Sequence, residues 1–194
     1  MKKILLLGSG GHSKSCIDLI ESDKNFELSG IVSKSKKDVG KKILGYKIIA
    51  SDSELSKLIN RFKYIMIGVG FILEPEKKKI IYKYLKKIGF KIPKIISSKS
   101  KISKYATIKE GVHIFHDCVI GPDSIIKEGS LINNKTLIEH DVIIEKFCHI
   151  STGCIINGES RIGTGSFVGS GSVVVNKCKI LKNSFLKMGS IIKK

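Results

Sequence analysis

The sequence predicts two architectures in series: an α/β, Rossmann-like unit with a small parallel sheet over residues 1–92, then an all-β parallel helix of six-residue repeats over residues 93–194. Two observations carry this. Up to about residue 92, short apolar runs alternate with helix-like stretches. From Ile96 onward, an aliphatic residue returns at every sixth position as far as Ile192, seventeen times without exception. Two residues before each of these, from Ser100 to Ser190, all sixteen positions hold a small side chain.

The first half reads as strands and helices in alternation. Lys3 to Leu7 is an apolar strand, Ser13 to Glu21 a helix, and Glu27 to Val32 a second strand. A strand around Tyr46 to Ile49 precedes a helix whose N-cap is Ser51 or Ser53, with Glu54 in its first turn. Tyr64 to Ile67 is the next strand, followed by Gly68-Val69-Gly70 and a helix from about Pro75 to Ile88 that Gly89 ends.

In the second half the period itself dictates the shape. Residues two apart on a strand share a face, so the aliphatic and the small residue both point inward, the small one where a corner leaves little room. Six residues make one short strand and a turn, three such units close a triangular coil of eighteen, and coils stack about 4.8 Å apart as parallel strands. Cys118, Cys148, Cys154 and Cys178 fall in the small inward column and Cys16 in the first helix, so packing explains all five cysteines. They form no CxxC pair and no zinc-type grouping, so neither disulfides nor a metal is expected.

The formal charge of +18 raises nucleic acid or an anionic surface as a partner. Only Arg61 and Arg161 are arginine, tryptophan is absent, and the lysines are dispersed, whereas base reading leans on arginine forks and stacking aromatics. Solvated lysine that attracts small anionic substrates is the expectation, with no nucleic acid. No apolar run reaches the roughly 18 residues of a membrane span, and the apolar stretch in MKKILLLGSGG is too short for a signal peptide. A cytoplasmic protein without membrane insertion is expected.

Two places can carry chemistry. Gly8-Ser9-Gly10-Gly11-His12 follows the first strand and opens the first helix, where backbone amides cradle phosphate. A dinucleotide fold also wants an acidic residue at the end of the second strand, where this chain has Val32-Ser33-Lys34, which argues against a dehydrogenase. His140 lies two residues past Ile138, at an outward corner turn, and the residue eighteen further on is Gly158, so the next coil offers no side chain there. A histidine is the natural base for acyl transfer near pH 7, and the adjacent Asp141 can fix its tautomer.

The repeats Ile120-Gly121-Pro122-Asp123-Ser124, Ile162-Gly163-Thr164-Gly165-Ser166 and Val168-Gly169-Ser170-Gly171-Ser172 match the [LIV]-[GAED]-x-x-[STAV]-x pattern of the hexapeptide-repeat acyltransferases. Ile138-Glu139-His140-Asp141, with Asn133 upstream and His149 downstream, resembles one subfamily of these: sialic acid O-acetyltransferases and N-acetyltransferases acting on UDP-linked 4-amino sugars of the bacillosamine type. The resemblance spans nearly the whole chain. It implies a left-handed helix, a homotrimer with sites between neighbouring prisms, acetyl-CoA as donor and a nucleotide sugar as acceptor. It implies His140 as general base oriented by Asp141, Asn133 and His149 lining the same pocket with His149 near the thioester, and coenzyme A along Gly158, Gly169 and Ser170. It further places Gly10, Gly11 and His12 on the diphosphate or uridine of the nucleotide sugar, beside Gly68 and Gly70.

The chain departs from the family where an aspartate pair after the second strand reads the nucleobase, since it has Ser33 and Lys34 there. Leu186-Lys187-Met188-Gly189 replaces a Gly-x-Gly, and the chain ends at Lys194 without the tail that closes over the adenine of coenzyme A; the expectation is lower cofactor affinity or compensation by lysines. N-acetylation of a UDP-linked 4-amino sugar leads, with O-acetylation of a sialic acid or related nonulosonate as the alternative on the same prism. A carbonic anhydrase-like metal prism would need three converging histidines, a spacing that His113, His116, His140 and His149 do not reproduce. A non-catalytic sugar-nucleotide-binding or scaffolding protein is the remaining class.

Overall fold

A computed structural model of the chain describes residues 1–70 and 75–193; the expected carboxyl-terminal limit, Lys194, lies outside the described residues. The first part runs β1 (Lys2–Leu7), α1 (Gly11–Ser22), β2 (Phe26–Ser33), β3 (Lys42–Ile43), β4 (Tyr46–Ser51), α2 (Leu55–Leu58), β5 (Tyr64–Ile67) and α3 (Pro75–Lys87). The sheet order is β3-β4-β2-β1-β5. β1, β2, β4 and β5 pair in parallel, each bringing aliphatic side chains such as Ile4, Leu6, Ile31 and Met66 to full burial between the helices. The small sheet is mixed rather than wholly parallel, because β3 adds antiparallel to β4 across Leu44-Gly45. Both turn residues have positive φ (47° and 86°), as a tight hairpin demands. A two-residue strand leaves too short a pattern to read from sequence.

Ser51 and Glu54 form the reciprocal cap expected of a helix start: the Glu54 carboxylate accepts from the Ser51 backbone N–H at 3.0 Å. The helix itself is brief, a 3-10 turn at Asp52–Glu54 leading into the single turn of α2. From β1 the chain crosses to β2 and β4 on one side, and β5 returns to its other side. The carboxyl ends of β1 and β5 thus flank a topological switch point, where the connecting turns part and leave a crevice.

From Ile95–Ile96 to Ile191–Ile192 follow seventeen two-residue strands in three parallel sheets, each strand paired with the one eighteen residues on. This is the left-handed parallel β-helix expected from the repeats. The second residue of each strand points inward, and Ile114, Ile132, Ile150 and Val168 are fully buried in one continuous column. The small column does more than fit a corner. Ser130 donates to the Glu145 carbonyl at 2.8 Å and accepts from the Cys148 N–H at 3.1 Å. Ser160 and Ser166 make the same pair of bonds to the coil above, satisfying corner backbone groups that the strands cannot reach. The cysteines of the column are buried as expected, and burial pushes the Cys148 thiol up to about 12, that of an inert packing group.

The three outward faces differ. Face 1 presents Ile95, His113, Leu131, His149, Phe167 and Phe185; face 2 presents Lys101, Val119, Leu137, Ile155, Val173 and Ile191; face 3 presents Thr107, Ile125, Ile143, Arg161 and Lys179. Face 1 is the one against which the α/β part packs. Ile95, Phe115 and Leu131 share a core with β1, α1 and β2, and Tyr82 of α3 meets Phe147 edge to face, with ring centroids 5.4 Å apart. Polar clamps close the rim: Tyr82 donates to Glu110 at 2.6 Å, and His116 bridges Asp18 of α1 (2.8 Å) to Ser97 (2.7 Å). His113 is therefore a buried face-1 residue and His116 an interdomain bridge. No helix among the described residues is long and apolar enough to cross a membrane.

Candidate functional site

The switch-point crevice is a cavity of about 900 Å³ lined by Gly8 to His12, Gly68 to Gly70, Lys34, Asp52, and Lys77 and Tyr84 of α3. Two glycines permit it by close approach. Gly8, at φ +120°, lies so near that a Cβ would stand 3.1 Å from the Gly68 carbonyl, and a Cβ on Gly68 would strike Leu6 at 2.5 Å. Gly10 and Gly11 have open space where a side chain would be. Gly10 caps α1 without any side-chain hydrogen bond, so the first amides of a twelve-residue helix point into the cavity from an unshielded end. At the end of β2, Ser33 is bonded to Ser9 (2.8 Å) and Asp38 (3.0 Å), which leaves Lys34 as the charged group from that strand end on the cavity wall.

The second candidate lies at the corner between faces 2 and 3. Asp141 takes the left-handed conformation (φ +59°) that the corner requires, and this turns its carboxylate back onto its neighbour: His140 Nδ1 donates to Asp141 Oδ2 at 2.8 Å. Nε2 is then the nitrogen with the lone pair. The imidazole lies directly over Gly158, where a Cβ would come within 2.6 Å of Nε2, and about half its surface is open. The hydrogen bond to Asp141 raises the His140 pKa above the ordinary 6.5, with the neighbouring Glu139 and Glu159 adding to it. The pair is a basic, reachable imidazole whose tautomer is set by a carboxylate.

His149 sits elsewhere. It is on face 1, beneath the α/β part, edge to face with Phe167 at 5.1 Å. Burial, with the Lys78 ammonium nearby, holds its pKa down to about 3, so it is a neutral imidazole at any working pH. The same two causes depress His12, whose ring rests 5.6 Å from Phe115, and hold His113 well down. Asn133 belongs to the corner between faces 1 and 2, where its side-chain oxygen accepts from the Asn134 N–H at 2.9 Å. Gly169 and Ser170 lie on that same corner two coils further on. Gly169 has a structural reason for its size, since a Cβ would stand 2.7 Å from the Lys187 backbone carbon.

Within one chain, then, Gly10, Gly11, His12 and Gly68 come together, and His149 is coupled to them through Lys78. Asn133, Gly169 and Ser170 share the adjoining corner. His140, Asp141 and Gly158 stand apart, across the width of face 2. The buried polar group of His113, His149 and Lys78 escaped the six-residue frame because that frame marks all outward positions as exposed. The signal was in the eighteen-residue column: face 1 reads Ile, His, Leu, His, Phe, Phe, the one aromatic column of the three. No group of three or more His, Cys, Asp or Glu among the described residues is placed to hold a metal.

Residues 3–85 match the family of the PglD N-terminal domain. The whole chain superposes on the acetyltransferase domain of PglB from Neisseria gonorrhoeae, solved in complex with acetyl coenzyme A, with a TM-score of 0.89 at 25% identity over 99% of this chain and 91% of that one. The first part thus resembles the PglD N-terminal domain, and the whole chain has the fold of a solved acetyltransferase domain. PerB from Caulobacter crescentus, in complex with CoA and GDP-perosamine, shares the fold at 20% identity and a TM-score of 0.91, over 100% of this chain and 90% of that one. A mutant of perosamine N-acetyltransferase from the same organism does so at 19% identity and 0.91, with the same coverage. No curated protein matches the chain in sequence.

Proposed function

We propose that this protein transfers the acetyl group of acetyl-CoA to the amine of a nucleotide-linked 4-amino sugar, residues 1–92 holding the nucleotide and residues 93–194 carrying the transfer. The observation that carries the mechanism is the His140–Asp141 pair over Gly158. His140 Nε2 takes a proton from the sugar amine as its nitrogen attacks the thioester carbonyl, and Asp141 steadies the imidazolium. The C–S bond then breaks, and the proton passes from Nε2 to the leaving thiolate, giving the amide and free coenzyme A. The diphosphate lies on the Gly10–Gly11 amides, with His12 and Gly68 beside it. Asn133 and His149 line the acetyl end, and the cofactor runs along Gly158, Gly169 and Ser170. The five unpaired cysteines suit a reducing compartment, the cytoplasm.

The division of the site across face 2 supports a homotrimer. Face 2 is an apolar stripe without a partner in the chain, with Val119 41%, Ile155 37% and Ile191 66% exposed. With face 2 turned to a threefold axis, the His140 corner of each prism comes against the neighbour's Asn133–Ser170 corner, next to the neighbour's crevice. Each active site then takes its base from one subunit and its nucleotide pocket from the next.

Thiol release from acetyl-CoA, measured with UDP- and GDP-linked 4-amino sugars and with sialic acid as acceptors, tests the activity. Transfer to an amino sugar that His140→Ala lowers by about 10²–10⁴-fold is the expected result. Transfer to sialic acid alone, or a rate untouched by His140→Ala, would overturn the reading.

A further inference from the structure

Lys78 is a buried charge that no group among the described residues answers. It projects from α3 into the seam between the α/β part and face 1 and is 7% exposed. No carboxylate and no hydrogen-bond acceptor partners its ammonium among the described residues. The groups that face it are His12 and Cys16 on α1, and His113, His149 and Cys148 on the prism. Burial holds both thiols protonated, at about 12. The imidazoles are equally unhelpful as counter-charges. Both ring nitrogens of His113, and Nε2 of His149, are buried without a hydrogen bond. A lysine in such surroundings costs stability as long as it stays charged, and an apolar side chain of the same length would be the better packing choice.

The position says what the charge is for. His12 forms part of the crevice wall, and Lys78, buried on the same side of α3 as Tyr82, lies close enough to depress the His12 imidazole. We propose that Lys78 is a buried positioning residue for the acceptor's diphosphate, its ammonium supplying through the His12 wall the positive field that holds phosphate oxygens on the Gly10–Gly11 turn. This rests on the nucleotide-sugar reading above. In the low-dielectric seam the field is little screened by water or salt, unlike that of the exposed lysines elsewhere on the surface. It also makes binding proton-linked. Desolvation brings the Lys78 pKa down to about 8 in the free protein, and a diphosphate raises it again, so its affinity falls as pH climbs through that value.

The test compares the full-length wild type with Lys78→Met and Lys78→Arg, using UDP, GDP and acetyl-CoA as calorimetric probes and thermal unfolding as the control. Lys78→Met is expected to weaken the preferred nucleoside diphosphate by about tenfold or more, to leave acetyl-CoA binding unchanged, and to raise Tm by about 3 °C. Lys78→Arg should recover most of the affinity. In the wild type, diphosphate affinity should drop between pH 7 and about 9, while in Lys78→Met it stays flat. Wild-type diphosphate affinity in Lys78→Met, or a lowered Tm with both ligands weakened alike, would overturn the proposal. A wild type that binds neither UDP nor GDP, while still acetylating a free sugar, would instead remove the nucleotide-sugar reading and the role of Lys78 together.

Discussion

Asp141 meets a backbone demand and a chemical one with a single side chain. The prism corner needs a residue at positive φ, which aspartate tolerates better than bulkier residues, and the same turn delivers its carboxylate to His140 Nδ1. The charge on Asp141 favours the imidazolium, so the base is protonated further up the pH scale than a free histidine. The proposed mechanism requires the neutral ring, and kcat/KM should therefore rise with pH along a limb centred above 6.5. In Asp141→Asn that limb should move to lower pH while the plateau falls, because the weaker partner neither raises the pKa nor stabilises the developing cation. A limb that stays in place would mean another group is titrating. Gly158 offers a test of position rather than basicity. In Gly158→Ala the new methyl would stand 2.6 Å from Nε2 and 2.7 Å from Cε1, so the ring must swing away. We expect kcat to fall by about tenfold or more with Tm essentially unchanged; full activity would show that the ring's place over the glycine is not the productive one.

At the scale of the coil, the serines of the inward column decide stability. Ser130 is fully buried and its hydroxyl both donates and accepts across adjacent coils. Ser130→Ala keeps the size but orphans a carbonyl and an N–H, and should cost about 2–3 kcal/mol in denaturant unfolding. A loss below about 0.5 kcal/mol would return the column to a purely steric role. This is the kind of fact the repeat pattern carries only in part. The period revealed the inward faces, the corners and the buried cysteines because each depends on residues at most eighteen apart. It revealed His140 because an outward corner above a glycine is also a local relation. The burial of His113, His149 and Lys78 depends on α3 docking on face 1 across residues far apart in sequence, and β3 depends on a two-residue pairing. Neither leaves a periodic trace. What sequence did carry, unread, was the apolar and aromatic composition of the face-1 column.

At the scale of the whole molecule, one geometric fact governs the rest: the crevice on the face-1 side and His140 lie on different edges of the same prism, with the apolar stripe of face 2 between them. Under the proposed roles, the acceptor's nucleotide and the base stand on different edges of one chain. In the proposed trimer, assembly through face 2 completes the site only between neighbours, and this has a consequence that no single-chain mechanism shares. His140→Ala lacks the proposed base but keeps the crevice, and a crevice variant such as His12→Ala keeps the base. Each should be inactive or nearly so alone. Unfolded together and refolded, or expressed together, they should form mixed trimers in which a site works wherever a subunit with His140 precedes one with an intact crevice. Random mixing of equal amounts gives such an arrangement at about one quarter of the sites, so roughly one quarter of wild-type activity should return. Mixing the two after each has assembled separately should restore nothing until subunits exchange. If the mixed preparation stays as inactive as its parents, while ultracentrifugation shows that mixed trimers have formed, then base and nucleotide pocket belong to the same subunit. Face 2 would then be an interface for some other purpose.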